Sequence, residues 1–167
     1  MAQIIDGKKL AEALTEAVTQ ENAVYCKRYP QPCLAIVSSG TNPASQVYIK
    51  TKIRSLERAG MQSRVIPYSE TISEQELIEC VHTLNVDDTV DGILIQLPLP
   101  YPLDSRRILA PLDPAKDVDG FTSENLGRLL TGSQSFIPCT PQGIMYALRE
   151  YGIPVSGTHA VIVGRSA

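Results

Sequence analysis

Three things are scarce in this sequence of 167 residues, and each scarcity closes off a class of function. Positive charge comes first: Lys and Arg number 15 against 18 Asp and Glu, a net charge of -3, so there is no basic surplus to neutralise a run of phosphates. Nucleic acid is not an expected partner. Clustered metal ligands come second. Cys26, Cys33, Cys80 and Cys139 contain no CxxC spacing, and His82 and His159 stand alone, so no zinc or other metal site is expected. The cysteines read as free thiols of a reducing cytoplasm. Long apolar runs come third: none approaches the ~18 residues of a membrane span, and the start, MAQIIDGKKLAEAL, is broken by charge. What remains is ordinary globular material, 43% hydrophobic and 20% charged, without repeats or low-complexity segments. A chain of this length makes about one domain and buries roughly 70% of its unfolded surface.

Hydrophobic periodicity divides that domain into alternating elements. Ile5, Leu10, Leu14, Ala17 and Val18 recur at helical spacing after Asp6, a side chain suited to accept a first-turn amide, so a helix is expected from about Asp6 to Cys26. Cys33 to Val37 is a short apolar run ending in Ser38-Ser39-Gly40, the pattern of a buried strand feeding a turn. A second helix should start at Pro43 or Ala44 and end near Gly60. Ser63 to Tyr68 reads as a strand, and Ser73-Glu74-Gln75-Glu76 fits a capping box ahead of the stripe Leu77, Ile78, Val81 and Leu84. A third strand is expected over Ile93 to Gln96, short helices over Ser105 to Ala110 and Ser123 to Leu130, and a last helix capped and started by Thr140-Pro141 and ended by Gly152. Ala160 to Gly164 reads as one more strand by composition. Strands that are apolar on both faces and alternate with helices predict an α/β fold with a largely parallel sheet. Ligands in such sheets sit beyond the carboxyl ends of the strands, which directs attention to Ser38 to Tyr48 and to Gln96 to Tyr101.

Three stretches there could carry chemistry. Tyr48 and Lys52 stand four residues apart, so a phenol and an ammonium share one helix face. Such pairs are commonly solvated surface, but this one lies close to the loop after the first strand. Gln96-Leu97-Pro98-Leu99-Pro100 follows the third strand with prolines that end its ladder. A buried glutamine amide must find partners, either as a plug satisfied by neighbouring backbone or by facing Lys52 across a cleft. Lys116-Asp117-Val118-Asp119-Gly120 sets two carboxylates on opposite sides of one extended residue. That string is a turn with solvated acids, a metal clip one ligand pair short, or a buried carboxylate gripping a cyclic amidine through two parallel hydrogen bonds.

Taken in order, Gly40-Thr41-Asn42-Pro43-Ala44-Ser45 with Tyr48 and Lys52, then Asp91 to Pro100, Lys116 to Phe121, Gly127-Arg128-Leu129, Pro138 to Pro141 and Val163 to Ser166 closely resemble the bifunctional methylenetetrahydrofolate dehydrogenase/methenyltetrahydrofolate cyclohydrolase family. That resemblance implies oxidation of methylenetetrahydrofolate with NADP as cofactor, hydrolysis of the methenyl product to formyltetrahydrofolate, a role in one-carbon metabolism and purine biosynthesis, and a cytoplasmic homodimer. It casts Lys52 as general acid/base, Gln96 as the group that tunes it, Tyr48 as a stacking wall and Asp119 as the pterin's grip. Ser45, Leu97 and Pro98 join Tyr48 and Asp119 in binding substrate; Cys139, Thr140, Gly164, Arg165 and Ser166 fall to the cofactor. A lysine shuttling protons near neutrality must shed hydration, which a heterocycle lying over it would achieve.

Family members continue beyond the glycine turn at Gly164 for most of a dinucleotide-binding domain. The resemblance therefore implies a C-terminally truncated chain: a folate-binding catalytic α/β domain over residues 1–138, then, over 139–167, a linker helix and first strand of an incomplete Rossmann-like NADP domain. At most the cyclohydrolase chemistry is expected to persist. Two alternatives stand beside it: a catalytically silent folate-binding or partner-binding module, and a short-chain-dehydrogenase-like oxidoreductase, which also carries a Tyr-x-x-x-Lys pair. The second has its glycine-rich loop before the pair, whereas here the candidate glycine turn follows it by over a hundred residues.

Overall fold

A computed structural model describes residues 4–164. The chain runs α1 (Gly7–Tyr25), β1 (Cys33–Ser39), α2 (Pro43–Arg58), β2 (Gln62–Tyr68), α3 (Glu74–Asn85), β3 (Gly92–Ile95), α4 (Ser105–Leu109), α5 (Ser123–Thr131) and α6 (Cys139–Glu150). The three strands form a parallel sheet in the order β2-β1-β3, with Val37 level with both Ile66 and Ile95. This is the expected α/β architecture, and the helix starts follow their caps. Asp6 accepts from the Lys9 amide at 3.0 Å, Asn42 from the amides of Ala44 and Ser45, and Ser73 and Glu76 complete both halves of a capping box.

Alternation along the strands sends side chains to two cores. Ala35, Val37, Ile93 and Ile95 meet Leu77, Val81 and Leu84 of α3 and Ile108 of α4 on one face. Ile36 and Leu94 meet Ile49 of α2 on the other, with Ile53 and Leu56 packed alongside. Burying each such side chain fully stabilises the fold by about 1.5–3 kcal/mol. α1 lies outside this core and is tied in by polar contacts: the buried Asn22 amide donates to the carbonyls of Ala59 (2.9 Å) and Gly60 (2.7 Å), where α2 ends. The Asp6 amide donates to the Tyr151 hydroxyl at 2.9 Å, joining the start of α1 to the end of α6.

Two expectations fail. Ala160–Gly164 forms no strand: Val161, Ile162 and Val163 are 75%, 94% and 94% exposed. Composition gave that stretch β-propensity, but a parallel strand exists only through hydrogen bonds to neighbours, and among the described residues none lies alongside it. Thr140 does not cap α6 either; the helix begins one residue before it, with Pro138 at the cap position and no side-chain cap hydrogen bond.

Candidate active site

Ile49 is buried against Ile36 and Leu94, which fixes the rotation of α2 on the sheet. On its flank, Lys52 then reaches the chain after β3, while Tyr48 stays exposed. The Lys52 Nζ donates to the Gln96 Oε1 at 3.2 Å. Gln96 holds its place because its own amide continues the ladder, donating to the Val37 carbonyl at 2.8 Å. Its side-chain NH2 donates to the Leu97 carbonyl at 2.8 Å, so the amide oxygen is turned to the lysine. Of the two readings open for Gln96, a backbone plug and a partner for Lys52, both hold, one at each end of the amide.

The Lys116–Gly120 string resolves its two carboxylates into different environments. Asp117 is buried and accepts from the Thr122 amide (2.8 Å) and the Asn125 side-chain NH2 (3.0 Å) through one oxygen, so it organises the entry to α5. Lys116 is spent on the carbonyls of Leu84 and Asp87 at the end of α3, where a cation meets the negative end of the helix. Asp119, half-buried, opens into the cleft instead. Burial pushes its carboxyl above the ordinary range, and the nearby Asp117 charge adds to this; Lys52 and the Cys139 thiol pull the other way. Gly120 turns the chain away with φ +66°, and a Cβ there would lie 2.6 Å from the Phe136 carbonyl oxygen.

A cleft of about 620 Å³ joins Lys52 to Asp119. Tyr48, Lys52, Asp119, Cys139 and Thr140 form its polar end, with Tyr48 63% exposed at the mouth. The Cys139 Sγ lies 3.8 Å from the Asp119 Oδ1, and burial, then that carboxylate, push its thiol up. A protonated thiol beside a carboxylate is a poor nucleophile, so acyl transfer through Cys139 is not the chemistry on offer. The rest of the cleft was missed from the sequence: Leu14 and Val18 of α1, Leu34, Leu56, Met61, Leu94 and Val118 make an apolar annex beside the polar end. Leu14 and Val18 were legible only as a helix stripe, with nothing to say which surface they would cover.

The other expected residues are scattered. Ser45 is buried at the start of α2, its amide bonded to Asn42, and does not line the cleft. Leu97 does not line it, although its carbonyl orients Gln96, and Pro98 borders a different hollow with Ser39, Gly40 and Glu70. Of the cofactor set, Cys139 and Thr140 are in the cleft and Gly164 stands in open space, with nothing within 4 Å of an added Cβ; Arg165 and Ser166 lie outside the described residues. A dinucleotide needs a strand, a glycine turn and a helix N-terminus acting together. The described residues do not fit it.

A lysine and a carboxylate in one largely apolar cleft, with a neutral amide bonded to the lysine, suit proton transfer on a flat, nitrogen-rich ligand. The family model for the tetrahydrofolate dehydrogenase/cyclohydrolase catalytic domain matches residues 5–119, a span holding all three groups. The chain belongs to that family. It is 44% identical over 167 residues to the bifunctional protein FolD of Streptococcus equi subsp. zooepidemicus and 47% identical to that of Streptococcus thermophilus, covering 99% of this chain in each case. It spans 59% of the length of these curated relatives. Among solved structures, the bifunctional FolD methylenetetrahydrofolate dehydrogenase/cyclohydrolase of Campylobacter jejuni superposes with a TM-score of 0.95 at 41% identity, over 98% of this chain and 58% of the other. The Trypanosoma brucei methylenetetrahydrofolate dehydrogenase-cyclohydrolase, complexed with NADP cofactor and inhibitor, gives 0.88 at 29% identity, over 93% and 54%.

Proposed function

We propose that this chain hydrolyses the methenyl bridge of 5,10-methenyltetrahydrofolate to give 10-formyltetrahydrofolate. The bridge is an amidinium: water adds to its carbon, the adduct loses a proton, and the bond from that carbon to N5 breaks as N5 regains one. Lys52 is the general base for the incoming water and returns that proton to N5, while the carbinol O–H proton leaves to solvent as the formyl carbonyl forms, so the cationic amidinium and water give neutral 10-formyltetrahydrofolate and one released proton. Gln96 holds the amine without adding charge that would retain its proton. Asp119 receives the pterin's amino and ring N–H groups as a pair of charge-assisted hydrogen bonds. Tyr48 lies over the ring.

The observation that carries this reading is the 3.2 Å contact from Lys52 to Gln96 at the edge of a cleft that Asp119 shares. Family membership names the chemistry; the contact gives the amine its orientation. The poor fit of the described residues to NADP leaves the oxidation step out of the reading. Within it, residues 1–138 are the folate-binding unit, and 139–167 begin the dinucleotide-binding part of longer relatives. The reading takes the chain to serve one-carbon supply in the cytoplasm, with purine synthesis as consumer and a homodimer as the full-length form. Among the described residues no helix is long and apolar enough to cross a membrane.

Following the loss of methenyltetrahydrofolate absorbance tests the assignment. Lys52→Met should slow hydrolysis by about 10²–10⁴-fold, the usual worth of a positioned proton-transfer group. Equal rates for the two proteins would defeat it, and substrate binding without turnover in the parent chain would favour the silent folate-binding module.

A further inference from the structure

The first turn of α2 is held from outside its own helix. Glu70 stands in the turn after β2, which is closed by the Ile72 amide donating to the Ser69 carbonyl (3.3 Å) and by a contact between the Ser69 and Thr71 hydroxyls (2.9 Å). From there its Oε1 accepts from both the amide (3.2 Å) and the hydroxyl (2.8 Å) of Thr41, in the loop between β1 and α2. The side chain reaches Thr41 by crossing Gly40, where a Cβ would sit 2.9 Å from the Glu70 Cγ and where φ is +78°. These two hydrogen bonds hold the carboxyl below the usual glutamate range. Glutamate is thus ionised, and both bonds are charge-assisted, at neutral pH.

Directly after Thr41, Asn42 caps α2 through the amides of Ala44 and Ser45. The next firm anchor is Ile49, packed on Ile36 and Leu94. Ser45 and Tyr48 lie between the two anchors, whereas Lys52 lies beyond the second and has its own bond to Gln96. We propose that Glu70 is a positioning residue for substrate binding, which ties Thr41 to the turn after β2 and so sets the first two turns of α2, with Ser45 and Tyr48, independently of Lys52. Its kinetic consequence rests on the hydrolase reading above; its structural consequence does not.

Glu70→Ala removes the acceptor, and Glu70→Gln keeps an oxygen for Thr41 while removing the charge. In hydrolysis assays Glu70→Ala should raise KM about fivefold to tenfold with kcat within about twofold, because misplacing a binding wall weakens capture without moving the proton-transfer group. Glu70→Gln should restore KM to within about twofold. Amide hydrogen exchange on the same proteins without substrate should speed up about fivefold or more at Gln46 to Tyr48 in Glu70→Ala, and stay within about twofold at Ile53 and Leu56. Unchanged exchange at Gln46 to Tyr48 overturns the proposal whether or not the chain turns over, as does a Glu70→Gln protein as defective as Glu70→Ala. A fall in kcat with KM unchanged overturns it too. If the exchange pattern is as expected but hydrolysis does not depend on Lys52, the function assignment fails and the positioning role stands.

Discussion

Replacing Gln96 by glutamate puts the neutrality of the Lys52 partner to a direct test. The substitution keeps the side chain's length and sets a negative oxygen where the amide oxygen now lies, 3.2 Å from the Lys52 Nζ. At that separation Coulomb's law gives about 5 kcal/mol for an effective permittivity of ~20 and about 1 kcal/mol for that of water. Lys52 is half-buried, so solvent screening pulls the value toward the lower half of that span, about 2 kcal/mol. All of it favours the ammonium, whereas water attack requires the free amine. Hydrolysis by Gln96→Glu should therefore fall about 30-fold below the parent chain. Gln96→Ala separates charge from tethering, since it too loses the contact but adds no anion. In the methenyltetrahydrofolate absorbance assay the order should be parent, then Gln96→Ala, then Gln96→Glu. A Gln96→Glu protein as fast as Gln96→Ala would refute the electrostatic argument, and one as fast as the parent would remove Gln96 from the site altogether.

Asp117 and Asp119 should part company in stability. Asp117→Ala orphans the Thr122 amide and one N–H of the Asn125 NH2, whose other bond to the Pro114 carbonyl stays, and should cost about 2–6 kcal/mol by urea unfolding, at about 1–3 kcal/mol per buried unpaired donor. Asp119→Asn should leave stability equal or higher at pH 7, because a carboxyl raised in the folded state binds its proton more tightly there and loses stability as pH rises past it. Asp87 supplies the opposite sign: the Thr89 hydroxyl, the Arg64 guanidinium and the Thr89 amide hold it down to about 2. Its contribution is complete above the ordinary carboxylate value of about 4 and should disappear as pH falls toward 2, so the parent's urea midpoint should decline relative to Asp87→Asn across that window.

Helix starts were legible because their signals are local. Asp6 and Ser73 act on amides within three residues, Pro43 fixes its own φ, and each element begins within a residue or two of its signal. The shared face of Tyr48 and Lys52 was legible for the same reason, and the place of Gln96 because it directly follows a strand. Ala160–Gly164 misled because strand propensity describes a side chain's fit to a surface that other strands must provide. The two carboxylates of Lys116–Gly120 could not be ranked from spacing, since what separates them is Thr122 and Asn125, side by side with Asp117 only after α5 folds back. Glu70 carried no signal at all. It reaches Gly40 because Ser39 pairs with Tyr68, a register set across two strands and an intervening helix.

The three groups assigned to hydrolysis trace back to one short strand. Gln96 follows the last residue of β3. Leu94, in its middle, packs against the Ile49 that orients Lys52. Ile93 donates its amide to the Lys116 carbonyl at 2.7 Å and bridges to Asp117, fixing the segment that delivers Asp119. Four residues, all buried, thus set a lysine from one helix, an amide from the strand's end and a carboxylate from a loop against a common reference. Errors in placing one group are then shared by the others rather than added to them, which is how a site assembled from three separate segments keeps its internal distances while its rim, at Tyr48 and Cys139, stays open to solvent.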